Sequence, residues 1–201
     1  MTDFQFKPKK DPRDFGWHDR GYIPHFDGGE IPQFITFRLF GSLPQKLYKT
    51  LRGATPTDAG LRKAIEKYLD AGYGACWLKD DRVAEIVRSA LTFHDGEKYR
   101  LHAWVIMPNH LHALLTPLES KHLPQIMHSV KSYTAGAANK VLGRGGQFWQ
   151  HETFDRYIRN REHFVAVVRY IENNPVKAGL CARPEEWRHS SAFERSITAD
   201  E

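Results

Sequence analysis

Cysteine is nearly absent: Cys76 and Cys181 are the two in 201 residues, far apart and in no CxxC pattern. That excludes a disulfide framework and a cysteine-built structural zinc site. Long apolar runs are also missing. No stretch approaches the roughly 18 apolar residues of a membrane span. The amino terminus, "MTDFQFKPKKDPRDFG", holds no uninterrupted apolar segment. No signal peptide is expected, and the chain is assigned to the cytoplasm. Neither sign of charge dominates: 29 Lys plus Arg against 24 Asp plus Glu leave a formal +5. Such an excess permits an anionic partner without demanding one. Hydrophobic residues make up 41% and charged residues 26%, which excludes a disordered chain. Eleven histidines and five tryptophans stand out by contrast.

The patterning predicts an α+β domain. Residues 1–30 read as a polar amino-terminal arm, 31–180 as the core domain and 181–201 as a tail of mostly loop. "QFITFRLF" (33–40) alternates as a strand, with Ile35, Phe37 and Leu39 on its apolar face. "ATPTDAGLRKAIEKYLDAGYG" predicts a helix capped by Thr55, with Pro56 at the first helical position and Gly72 ending it. A second helix is expected over about 80–93, opened by Asp80 or Asp81. "YRLHAWVIM" and "HLHALLT" read as strands, with a bulge or tight bend at Pro108 and Asn109. A long helix over 121–142 carries Leu123, Ile126, Val130, Ala137 and Val141 as its buried stripe. A strand at 153–158 and a helix stopped by Asn173-Asn174-Pro175 complete the order. An antiparallel sheet with helices packed on one side fits best.

Alternate strand residues point to the same side, so His110 and His112 in "HLH" project together. Two imidazoles on a rigid strand begin a metal site; they also suit a capped bend and a sheet surface. Tyr133 on the long helix reads either as a core tyrosine or as a nucleophile. Its neighbours Ser129, Gly136 and Ala137 leave room over the ring. A phenol needs a base or a cation nearby to attack phosphorus, and Mg²⁺ or Mn²⁺ on the histidine pair would supply one. Residues 119–169 carry eight Lys or Arg against four acids, with Phe148, Trp149, Phe154 and Tyr157 among them. Aromatics between cations suit unpaired bases and phosphates, or a core with a solvated face.

"HAWVIMPNHLHALLTP", "IMHSVKSYTAGAANK", "GQFWQHETFDRYIRNREHFVAVVRYIENNPVKAGL" and "WRHSSA", with "RGYIPHFDGGEIPQFITFRL" before them, resemble the REP-associated tyrosine transposases. These are IS200-like single-tyrosine transposases of the HUH endonuclease superfamily. The resemblance covers about residues 20–193 and implies a ferredoxin-like antiparallel sheet. It also implies cleavage and rejoining of single-stranded DNA beside palindromic hairpins through a 5′-phosphotyrosine, with Mg²⁺ or Mn²⁺. His110 and His112 become the metal ligands and Tyr133, on the helix after them, the nucleophile. The family pattern places a further polar ligand one helical turn after the tyrosine. Ala137 stands there, so Asn139 and His102 are the stand-ins. Asn109 shapes the turn before His110. Lys131, Arg144, Trp149, Arg156 and Arg159 are the expected DNA contacts, and a monomer is favoured. A hairpin-binding protein without cleavage activity is the alternative reading, and a hydrolase of small phosphoesters a third.

Overall fold

The computed structural model describes residues 16–19, 24–27, 29–55, 57–118, 121–151 and 153–199, with backbone alone at 16–19, 24–27, 58 and 199. The rest of the expected amino-terminal arm, and Pro56, lie outside the described residues. Within the arm, β1 (Gly16–Asp19) and β2 (Pro24–Asp27) pair as an antiparallel hairpin.

The main sheet has four strands: β3 (Gln33–Arg38), β4 (Tyr99–Ile106), β5 (His110–Pro117) and β6 (Phe154–Tyr157). All pairings are antiparallel, in the order β4-β5-β3-β6. Helices intervene between β3 and β4 and between β5 and β6, which gives the βαββαβ order of a ferredoxin-like fold. The expected α+β class and the sheet type hold.

Side-chain alternation sorts the strands onto two faces. Ile35, Phe37, Leu39, Leu111, Ala113 and Leu115 turn to one face. There they meet α3 (Asp81–Thr92) through Val83, Val87 and Leu91, and α4 (Leu123–Val141) through Leu123, Ile126, Met127 and Val130. Phe34, Ala103, Val105 and Leu114 turn to the other face. They pack on Phe164, Val167, Val168 and Ile171 of α5 (Arg161–Glu172). The expectation of helices on one side is therefore corrected. β3–β5 carry apolar side chains on both faces, and each face needs a cover.

Several element boundaries also differ. α1 (Gln45–Ala54) went unpredicted; it is short and buries no residue. α2 spans Asp58–Asp70 and is capped by Thr57, whose hydroxyl accepts from the Gly60 amide, rather than by Thr55. Thr134 and Ala138, not Ala137, continue the buried stripe of α4. The helix α5 does end at Asn173, as expected of Asn173-Asn174-Pro175. Pro175 opens a further turn, α6 (Asn174–Lys177), because its missing N–H is no loss there. The tail is ordered too: Trp187, His189, Ser190 and Ser191 bond along β4, and α7 (Ser191–Ala199) follows. This covers the outer edge of β4, which would otherwise offer free backbone groups.

Candidate functional site

β4 and β5 are joined by Met107, Pro108 and Asn109, closed by the Met107 amide on the His110 carbonyl at 2.9 Å. The predicted bend is this hairpin turn; the bulge itself lies at His102, between Leu101 and Ala103. From the turn, β5 sends His110 and His112 onto the α5 face, both fully enclosed. Their Nε2 atoms stand 3.1 Å apart.

Asn109 decides what His110 offers. Its amide nitrogen donates to the carbonyls of Leu69 (3.0 Å) and Tyr73 (3.1 Å), so its Oδ1 must be the atom facing His110 Nδ1 at 2.7 Å. Nδ1 therefore carries the proton and Nε2 is left with a lone pair. The Thr36 hydroxyl lies 2.6 Å from His112 Nδ1 and can accept from it or donate to it. Either tautomer of His112 is thus accommodated. Phe34 stacks on the His112 ring at 5.4 Å, and Tyr170 meets that ring edge-on at 5.4 Å. Burial, reinforced by the Lys177 charge, pushes His110 down to about 3. Burial, with His110 and Lys177 nearby, pushes His112 well below the usual histidine range. Both imidazoles are neutral near pH 7, as metal ligands must be.

Tyr170 sits in the last turn of α5, half-buried, and its hydroxyl faces Glu66 and Asn174 without reaching hydrogen-bond geometry. Asn174 is wholly buried, and both of its amide atoms lack a partner. Burial raises the Tyr170 phenol strongly, with Glu66 and Asp70 adding to it. Burial also pushes the Glu66 carboxyl up, against the pull of Lys177. Beside Tyr170 opens a cavity of about 170 Å³ lined by Phe34, Arg62, Glu66, Phe154, Arg156 and His163, among others.

Tyr133 is elsewhere. It is 63% exposed on α4, whose buried stripe meets the opposite face, so the sheet separates it from the histidine pair. The two stand-in ligands are also occupied elsewhere. Asn139 donates to the Gly146 carbonyl and accepts from Arg144. His102 lies beside Thr116 at 2.8 Å, roughly 13 Å along β5 from His112 by strand rise. Three expected DNA contacts have internal work. Lys131 donates to the carbonyls of Gln150 and His151 and to the Thr153 hydroxyl. Trp149 is 4% exposed and donates to Thr134, which settles its two readings in favour of the core. Arg144 lies 3.7 Å over the Trp77 ring. Arg156 and Arg159 are exposed, and Arg156 reaches the Tyr170 cavity. Asn174, Tyr170, Glu66 and Asp70, which the sequence reading did not single out, gather beside the histidine pair. The available signal was the polar residue one helical turn after the tyrosine, which Tyr133 lacks and Tyr170 has in Asn174.

These residues fit a divalent cation in part. Two nitrogens each about 2.1 Å from one cation sit about 3 Å apart when roughly a right angle separates them, as the two Nε2 atoms do. Asn174 supplies a buried amide oxygen without a partner. Among the described residues, no three His, Cys, Asp or Glu side chains form a closed metal cage. No helix of the described residues is long and apolar enough to cross a membrane.

Residues 76–174 match the family model described as transposase IS200 like, a stretch from Cys76 to Asn174. A REP-associated tyrosine transposase of Escherichia coli (strain K12) is 28% identical over 100 residues, 49% of this chain and 57% of that protein. The chain thus matches little more than half the length of that relative. A solved structure of a REP-associated tyrosine transposase bound to a REP hairpin superposes with a TM-score of 0.55 at 20% identity. It covers 90% of this chain and 84% of its own, and shows the same fold. The matched stretch holds the β4–β5 hairpin with its two buried histidines, and over residues 76–174 the chain is similar to the IS200-like transposases.

Proposed function

We propose that the chain is a metal-dependent endonuclease and strand transferase for single-stranded DNA beside palindromic hairpins, with Tyr170 as its nucleophile. The observation that carries this reading is the contact of the Tyr170 ring with His112 on the face where the two histidine Nε2 atoms converge. His110, His112 and Asn174 would hold Mg²⁺ or Mn²⁺. When bound, the cation draws charge from the non-bridging oxygens of the scissile phosphate.

The chain's own residues then divide the work. Tyr170 Oη attacks phosphorus; the P–Oη bond forms and the P–O3′ bond breaks. The DNA 5′ end stays on the tyrosine, and the other strand leaves with a free 3′-hydroxyl. Glu66 faces the phenol, takes its proton and passes it to the departing O3′, which leaves as the hydroxyl. Its raised affinity for protons makes it a better acceptor than a surface carboxylate. Attack by a second 3′-hydroxyl reverses the step and returns the proton to Tyr170. Arg156 and Arg62, at the same cavity, meet the flanking phosphates, and Phe154 offers its face to a base. The REP hairpin bound in the similar solved structure makes a REP-type palindrome the first substrate to try.

The test is transfer of label from DNA to protein. With a hairpin carrying a labelled single-stranded flank and Mn²⁺, the wild type and Tyr133→Phe both yield a covalent adduct. Tyr170→Phe yields none. An adduct that survives Tyr170→Phe and disappears with Tyr133→Phe overturns the nucleophile assignment. Hairpin binding with no adduct across Mg²⁺, Mn²⁺ and other divalent ions would leave a binding protein without cleavage activity.

A further inference from the structure

We propose that Asp70, the last residue of α2, is an acidic ligand of the cation held by His110 and His112. This rests on the metal-dependent reading above and adds to it a carboxylate from a different element. The Asp70 side chain is 9% exposed, and its Oδ1 has no hydrogen-bond partner. That oxygen lies 3.9 Å from His110 Nε2. The distance is too long for a hydrogen bond, and it suits two ligands spread around one cation. Oδ2 is already taken, by Lys177 Nζ at 2.8 Å. One carboxylate oxygen is thus pinned, and the other is turned toward the bare nitrogen of a histidine.

The local fold explains the placement. The Asn109 amide that fixes the His110 tautomer does so by donating to Leu69, the residue before Asp70. The end of α2 and the β4–β5 turn are therefore locked together, and Asp70 is carried to the histidines by that lock. A buried carboxylate oxygen without a partner is costly, and a cation removes the cost. Two imidazoles alone favour softer ions such as Zn²⁺, whereas carboxylate and amide oxygens favour Mg²⁺ and Mn²⁺. Asp70 with Asn174 gives the pair that harder character. Lys177 holds Oδ2 from outside, as the outer partner that orients a ligating carboxylate.

Mn²⁺ titration of the full chain without DNA, followed by the EPR signal of the free ion, tests this. Wild type binds Mn²⁺, and His110→Ala loses it. Asp70→Asn, nearly isosteric and still able to accept from Lys177, weakens Mn²⁺ by at least about tenfold while retaining Zn²⁺ better than Mn²⁺. If the wild type binds no Mn²⁺, or His110→Ala binds as well as wild type, the underlying metal reading fails. If His110→Ala loses Mn²⁺ while Asp70→Asn keeps wild-type affinity, Asp70 serves only as the ion-pair partner of Lys177, and this inference alone falls. Should Asp70→Asn fail to fold, wild-type protein with ¹³C-labelled aspartate carboxyls answers the same question. Hyperfine coupling of bound Mn²⁺ to such a carbon supports ligation; its absence overturns it.

Discussion

Asn109 shows how much one side chain decides. Its two donated bonds to α2 and the following turn leave a single orientation for its oxygen, and that oxygen sets the proton on His110. Asn109→Ala should therefore remove both of those bonds and free the imidazole to rotate. Cleavage is expected to fall by more than about tenfold with Mn²⁺ affinity following it, read by adduct yield and by titration. His102 makes a prediction of a different kind. Burial pushes its imidazole down to about 4, with Arg100 adding to the effect. Below about 6.5 the unfolded chain binds a proton that the folded chain refuses, so stability falls as pH drops from 6.5 toward 4. His102→Asn removes that contribution. Thermal unfolding of the two proteins should differ in its pH slope across that window and run parallel above pH 7.

Among the elements, α4 and the β3–β4 connection carry the scaffold. Trp149 donates to the Thr134 hydroxyl at 2.8 Å while its ring meets Phe37 edge-on at 4.8 Å, tying α4 to β3. Thr134→Val leaves the indole N–H without its acceptor and should cost about 1–3 kcal/mol in a denaturant titration. At Gly74, φ is 77° and an added Cβ would lie 2.6 Å from the Gly41 carbonyl oxygen. Its neighbour Tyr73 presents the carbonyl that Asn109 uses. Gly74→Ala should destabilise by at least about 1–3 kcal/mol and lower Mn²⁺ affinity as well, since the turn that orients Asn109 must shift.

The elements were legible in the sequence where one face repeats clearly. Period-two alternation located β3, β4 and β5, and the i, i+2 rule put both histidines on one side of β5. Helix α3 was legible from Asp80 at its cap. What periodicity could not say was which sheet face each helix covers. That is a property of the crossovers, and it decides which tyrosine meets the histidines. Tyr133 and Tyr170 both lie on amphipathic helices after the "HLH" strand; α5 covers the sheet face that carries the histidines and α4 the opposite one. Asp70 and Glu66 were invisible for a related reason. They stand one helical turn apart on a helix that precedes β4 in sequence and is joined to the site through Asn109, Lys177 and the Tyr170 cavity.

At the scale of the whole molecule, the sheet divides the protein into a scaffold side and a working side. The scaffold side holds α3, α4 and the larger apolar cluster. The working side gathers the histidine pair, Tyr170, Asn174 and the cavity where Arg62 and Arg156 crowd together. Burial, and then the like charges of Arg159 and Arg62, push the Arg156 guanidinium down, so the cluster gains from an incoming phosphate. Arg156→Ala and Arg62→Ala should each weaken single-stranded DNA binding and reduce its salt slope by about 0.7. Lys131→Ala, on the scaffold side, should change stability more than that slope.

The most direct measurement is the identity of the modified tyrosine. Tyr170 begins the tryptic peptide 170–177, "YIENNPVK", and Tyr133 lies in 132–140, "SYTAGAANK". Mass spectrometry of the trapped adduct after nuclease and trypsin digestion separates them. The account predicts a nucleotide phosphate on Tyr170, with the Tyr133 peptide unmodified. Modification of Tyr133 with an unmodified Tyr170 peptide would contradict it.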